Sequence, residues 1–219
     1  MVEYAVSDLV KEVKVLLDRN QESAGLLAPS DSDTLSQAEL IESKIVDAAR
    51  IILSDSPEYM VEGTSCTNYV TWTDDSNGYY VGKMVLPTDM LRILSVKAGD
   101  WNRPATIISE SDDAYKYQNC KYGVRGNPER PIAAIVHTAN GKSIELYTSK
   151  KQDATLAFIY VQVPSITTEQ KISLPSVLKD SILYMAGYLT CISLGDTDTA
   201  SGFLGVARKL AHIVEPTTS

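Results

Sequence analysis

Ile132-Ala133-Ala134-Ile135-Val136-His137 and Ser143-Ile144-Glu145-Leu146-Tyr147-Thr148 stand on either side of Asn140-Gly141. Both runs are short and rich in β-branched and aromatic side chains. Asn-Gly supplies the positive φ angles that a tight hairpin turn requires, so the segment reads as two antiparallel strands joined at residues 140–141. The hairpin fixes the character of the middle of the chain, and the neighbouring sequence extends it. Upstream, Val70-Thr71-Trp72-Thr73 and Tyr79-Tyr80-Val81 flank the turn-forming Asp74-Asp75-Ser76-Asn77-Gly78. Leu91 to Val96 and Ile107-Ile108 read as further strands around Gly99-Asp100-Trp101, and Thr155 to Val163 reads as a last strand ending at Pro164.

Farther out the apolar period becomes helical, changing near Gly63 and again near Pro175. Val6 to Asn20 carries Leu9, Val10, Val13, Leu16 and Leu17 at three- and four-residue spacing, followed by a loop from Gly25 to Ser32. Thr34 with Gln37 and Ser36 with Glu39 each offer a capping box to a second helix. Its stripe is Ile41, Ile45, Ala48 and Ile52, with Ala49 and Leu53 alongside, and Ser54 to Pro57 stops it. After Pro175, a residue suited to a first helical turn, come Val177, Leu178, Ile182, Met185, Ala186 and Leu189. Asp196 or Asp198 caps a final helix through Phe203, Val206, Ala207, Leu210 and Ile213. The expected fold is α+β: a helical bundle from residues 1–62 and 165–219, with a β-rich insertion at 63–164.

Composition narrows the function. At 219 residues the chain buries about 70% of its extended surface on folding and needs no disulfide or metal staple. Cys66, Cys120 and Cys191 are isolated from one another and form no zinc spacing. No phosphate-cradling, nucleophile-elbow or metalloprotease motif occurs, and His137 and His212 stand apart from any such pattern. Adjacent acids at Asp74-Asp75 and Asp112-Asp113 lack the partners of a calcium loop. No catalytic residue, metal or cofactor is therefore expected. Residues 1–17 carry Glu3, Asp8 and Glu12 in place of an apolar signal core, and Lys179 and Asp180 interrupt the apolar run Leu174–Leu194. A cytosolic product without a membrane segment is expected.

The net charge is −8, with 5 basic against 13 acidic residues in 1–62 and 11 basic against 8 acidic in 83–153. An acidic chain repels a phosphate backbone, so nucleic-acid binding is disfavoured as the main task. The chain holds 12 tyrosines and only 2 phenylalanines. A phenol covers apolar area while keeping a hydrogen-bonding tip, which suits surfaces buried on assembly as well as the cover of a thin sheet. Tyr122, Arg125 and Arg130 are the residue types that dominate interface energetics, and Pro128 and Pro131 stiffen their loop. These five residues are the candidate subunit interface. The acidic N-terminal region of an adjacent copy is the expected counterpart of the arginines.

One succession of motifs points to a family. Leu86-Pro87-Thr88-Asp89-Met90-Leu91-Arg92 precedes Trp101-Asn102-Arg103-Pro104. Tyr115-Lys116-Tyr117-Gln118 and Tyr122-Gly123-Val124-Arg125-Gly126-Asn127-Pro128-Glu129-Arg130-Pro131 follow. Then come Ile144-Glu145-Leu146-Tyr147, Tyr160-Val161 with Pro164, and a long helix. This order resembles the head-to-tail adaptor proteins of short-tailed bacteriophages, and in particular a ring protein of crAss-like phages. The resemblance implies a structural virion protein made in the host cytoplasm and placed at the head–tail junction. It implies a homo-oligomeric, dodecameric ring that meets the portal protein and other tail or ring proteins. DNA then passes through the lumen without sequence-specific binding. Two other classes stay open: a small hydrolase, which needs a cleft holding His137 or His212 beside an acid or nucleophile, and a weak nucleic-acid-binding module built on the basic, tyrosine-rich middle.

Overall fold

A computed structural model of the chain describes residues 1–17, 36–66, 68–75, 78–120, 125–139 and 141–214. In chain order the elements are β1 (Val2–Ala5), α1 (Val6–Leu16), α2 (Gln37–Asp55), β2 (Thr64–Ser65), β3 (Thr71–Asp74), β4 (Tyr80–Val85), β5 (Met90–Ala98) and β6 (Thr106–Ser109). They continue with α3 (Asp113–Lys116), β7 (Ile132–Thr138), β8 (Gly141–Ser149), β9 (Leu156–Gln162), β10 (Lys171–Leu174), α4 (Lys179–Ser193) and α5 (Thr197–Leu210). The chain divides into two compact units, Met1–Glu62 with Val163–Ser219, and Gly63–Gln162.

In the first unit α4 packs against α1, α2 and α5. Ile182, Leu183, Met185, Ala186 and Cys191 are all buried, as a helix with neighbours on several sides requires. α2 begins with the Ser36–Glu39 capping box. The Ser36 hydroxyl accepts from the Glu39 amide at 3.3 Å, and the Glu39 carboxylate accepts from the Ser36 amide at 2.7 Å. Thr34 lies outside the described residues, as do the expected loop at 25–32 and the end of the first helix beyond Leu17. Asp196 caps α5 by accepting from the Thr199 amide. β1 and β10 pair antiparallel, from Val2 opposite Leu174 to Ala5 opposite Lys171.

The second unit holds a five-stranded sheet, β3-β4-β8-β7-β6, and a three-stranded sheet, β2-β9-β5. β7 and β8 form the expected hairpin, with Ile132 opposite Tyr147 and Gly141 at φ +104°. β3 and β4 pair antiparallel, and Asn140, Ser76 and Asn77 lie outside the described residues. Met84, Val96, Ile144, Leu146 and Phe158 meet in one core drawn from both sheets. Trp101 joins them and donates its indole N–H to the Thr148 carbonyl at 2.8 Å.

A helical bundle carrying a β-rich insertion is not what forms. The protein is a mixed α and β fold dominated by strands, ten of them in three sheets among the described residues. Strands are built from the terminal segments as well as from the middle. Val2–Ala5 and Lys171–Leu174 are four residues each, too short for a two-residue period to stand out, and their pairing joins opposite ends of the chain. Thr155–Val163 is accordingly not the last strand, because β10 follows it. β6 pairs parallel with β7, and α3 lies between them in the chain.

Candidate functional site

Strand alternation sends Ile144 and Leu146 of β8 to the core and Glu145 and Tyr147 to the opposite face of the five-stranded sheet. There Ala134, Val136, Val81 and Ile108 make a small apolar floor, and α3 lays Tyr115 against it. Glu145 gathers three donors: the Tyr147 hydroxyl at 2.6 Å, the Tyr115 hydroxyl at 3.2 Å and the Lys83 ammonium at 3.2 Å. Beside it the Arg125 guanidinium stands 5.3 Å from the Tyr147 ring centroid and donates to Asp75 at 2.6 Å. Burial works against the Glu145 charge, but hydrogen bonds from Tyr147 and Lys83, the Lys83 charge and Tyr115 outweigh it and hold the carboxyl below its ordinary value. Burial first, then the Glu145 carboxylate, push the Tyr147 phenol far upward, and the same causes raise Tyr115. A carboxylate held ionised and phenols held protonated are poorly placed to exchange protons near neutrality. The cluster ties β4, β8, α3 and the residue-125 loop together.

The five expected interface residues take different places. Tyr122 lies outside the described residues. Arg125 turns inward, its side chain 15% exposed against an Asp75 that is 10% exposed. Pro128 and Pro131 are buried, and their carbonyls accept from the amides of Asn102 and Thr106, each at 2.9 Å. Arg130 is exposed at the tip of a turn in which the Asn127 side chain accepts from the amides of Glu129 and Arg130. Sequence reasoning missed Asp75 as a partner of Arg125, because the two stand 50 residues apart and meet only in the folded unit. It also missed Arg103, Lys150 and Lys151, which are exposed on loops beside Arg130. Backbone bonds join these loops, from Asn102 to Pro128 and from Lys150 to the Asp100 carboxylate.

His137 meets Glu110 at 3.0 Å on the surface, and its amide donates to the same carboxylate. That amide first, and the imidazole second, hold Glu110 below its ordinary value. His212 meets the Tyr59 hydroxyl at 2.9 Å. An open groove of about 450 Å³ runs along Val15, Leu16, Leu183 and Tyr184. Two others of about 550 Å³ flank Cys66 and Asn68, one toward Trp72 and the other toward Asp89 and Tyr160. Neither histidine lines any of these. Among the described residues no group of three His, Cys, Asp or Glu side chains is arranged to hold a metal, and no helix is long and apolar enough to cross a membrane. Tyr69 is 95% exposed and Tyr59 75%. No protein-family model matches the sequence, and no curated protein matches it.

Proposed function

We propose that the chain is a structural virion subunit, one copy of an oligomeric adaptor ring between portal and tail at the head–tail junction. Genomic DNA passes through its lumen. The observation that carries this reading is the exposure of a tyrosine in each unit, Tyr59 in the first and Tyr69 in the second. Tyrosine on an open surface supplies contact area at low cost in rotamer entropy and is enriched where proteins bind one another. The motif succession from Leu86 to Pro164, with its resemblance to phage adaptor rings, supplies the portal and the tail as partners. An acidic wall repels a phosphate backbone and lets it slide, which fits a chain of net charge −8. The hydrolase reading draws little support from histidines that sit beside Glu110 and Tyr59 and line none of the grooves described above. Electron microscopy of the concentrated protein in negative stain tests the proposal. Annular particles with a central opening are expected, and a field of uniform small particles at every concentration contradicts it.

A further inference from the structure

We infer that the loop end of the second unit, carrying Arg103, Arg130 and Lys150, docks on the acidic end of α2 in the first unit of a neighbouring copy. The inference rests on the ring reading and assigns the two faces that meet. Charge divides unevenly between the units. Residues 1–62 with 163–219 hold 18 acidic and 9 basic side chains, a net −9, whereas 63–162 hold 10 and 11, a net +1. The two sum to the −8 of the whole chain.

On the second unit some of the exposed cations lie on adjoining loops. Arg103, Arg130 and Lys150 sit on three separate loops that the Asn102–Pro128 and Lys150–Asp100 bonds hold side by side. Half-buried Asp100 accepts from the Lys150 amide and the Ser149 hydroxyl. Glu129 and Asp153 are the exposed acids of the same loops and offset part of the positive field. Buried prolines and the Asn127 turn fix the backbone, so little ordering is required when a partner arrives.

On the first unit the complement is equally specific. No lysine or arginine occurs between Arg50 and Lys83, while Asp55, Glu58 and Glu62 do. α2 ends at Asp55 without a basic residue in its last turn, so an acid stands at the negative end of the helix. Glu62 pairs with the chain's amino terminus. Asp55 and Glu58 are exposed around the open ring of Tyr59. An acid at a helix C-terminus is unfavourable, and guanidinium groups from a neighbour relieve it alongside Arg208 and Lys209 in the last turn of α5, whose end meets Tyr59 through His212. Because the two patches are unlike, the contact runs head to tail, the arrangement that closes into a ring when its rotation permits.

The test compares three variants with the wild type: Arg103→Glu/Arg130→Glu/Lys150→Glu, Asp55→Lys/Glu58→Lys, and all five substitutions in one chain. Mass photometry across a concentration series reads assembly, and circular dichroism reads folding. Each partial reversal is expected to raise the concentration at half-assembly at least about tenfold, and the five-fold variant to recover it. The wild type should also disassemble as salt is raised, a readout that depends on no variant folding. Loop-end reversal that assembles like the wild type, or assembly indifferent to salt, overturns the docking assignment while leaving the ring intact. Failure of the five-fold variant to recover overturns the Asp55 and Glu58 face as the counterpart. A wild type that never assembles overturns the ring reading itself, and this contact with it.

Discussion

Glu145 keeps its charge on a largely apolar sheet face because three donors reach it, and the tightest is the Tyr147 hydroxyl. The carboxyl is held below its ordinary value in the folded chain. Its contribution is therefore fully present above the unfolded carboxylate pKa and is lost as pH falls through the folded one. Tyr147→Phe should destabilise the protein by about 1–2 kcal/mol at pH 7. The gap from the wild type should narrow in acid below the usual carboxylate range, as chemical denaturation at the two pH values can show; an equal gap at both would contradict the account. Arg125→Ala removes the guanidinium that donates to Asp75 in a site where both side chains are mostly buried, and a loss of about 2 kcal/mol is expected in the same assay. The sequence placed Glu145 and Tyr147 on one strand of a hairpin. It could not place Tyr115, Lys83 or Asp75 beside them, because those neighbours arrive from other elements through sheet order. The same gap explains Arg125, a residue type suited to an interface whose guanidinium instead donates to Asp75 within the unit.

At the scale of elements, two glycines on neighbouring helices should respond in opposite directions. A Cβ on Gly187 of α4 would meet the Phe203 ring of α5 at 2.8 Å, whereas one on Gly202 of α5 meets nothing within 4 Å. Gly187→Ala is expected to cost about 1–3 kcal/mol by pushing the ring and the helices apart. Gly202→Ala should stabilise by up to about 1 kcal/mol through helix propensity. Thermal melts of the two variants decide this, and a shift of the same sign in both would refute the α4–α5 packing described. The elements legible beforehand were those with a long period or a strong local signal. The Ser36–Glu39 cap, the α2 stripe, the Asn140-Gly141 hairpin and the Asp196 cap all needed only a few consecutive residues. β1 and β10 were not legible, since each is four residues long and is a strand only because the other is there. That single pairing turns a bundle of terminal helices into a mixed unit.

Across the whole molecule, the segregation of charge was visible in the sequence, and the structure adds that Arg103, Arg130, Lys150 and Lys151 are exposed on adjoining loops. What residue patterns could not supply is which copies of the chain face one another, because an interface leaves no period to count. Exposed tyrosines, exposed cations on three adjoining loops and an α2 end with no basic residue in its last turn are features that suit a subunit meeting unlike surfaces repeatedly. Native mass spectrometry of the purified protein, alone and after mixing with a portal, tests this central claim most directly. The account predicts a single species at an integral multiple of the chain mass, and a larger complex of fixed composition once the portal is added. A chain that stays monomeric in both samples would contradict it.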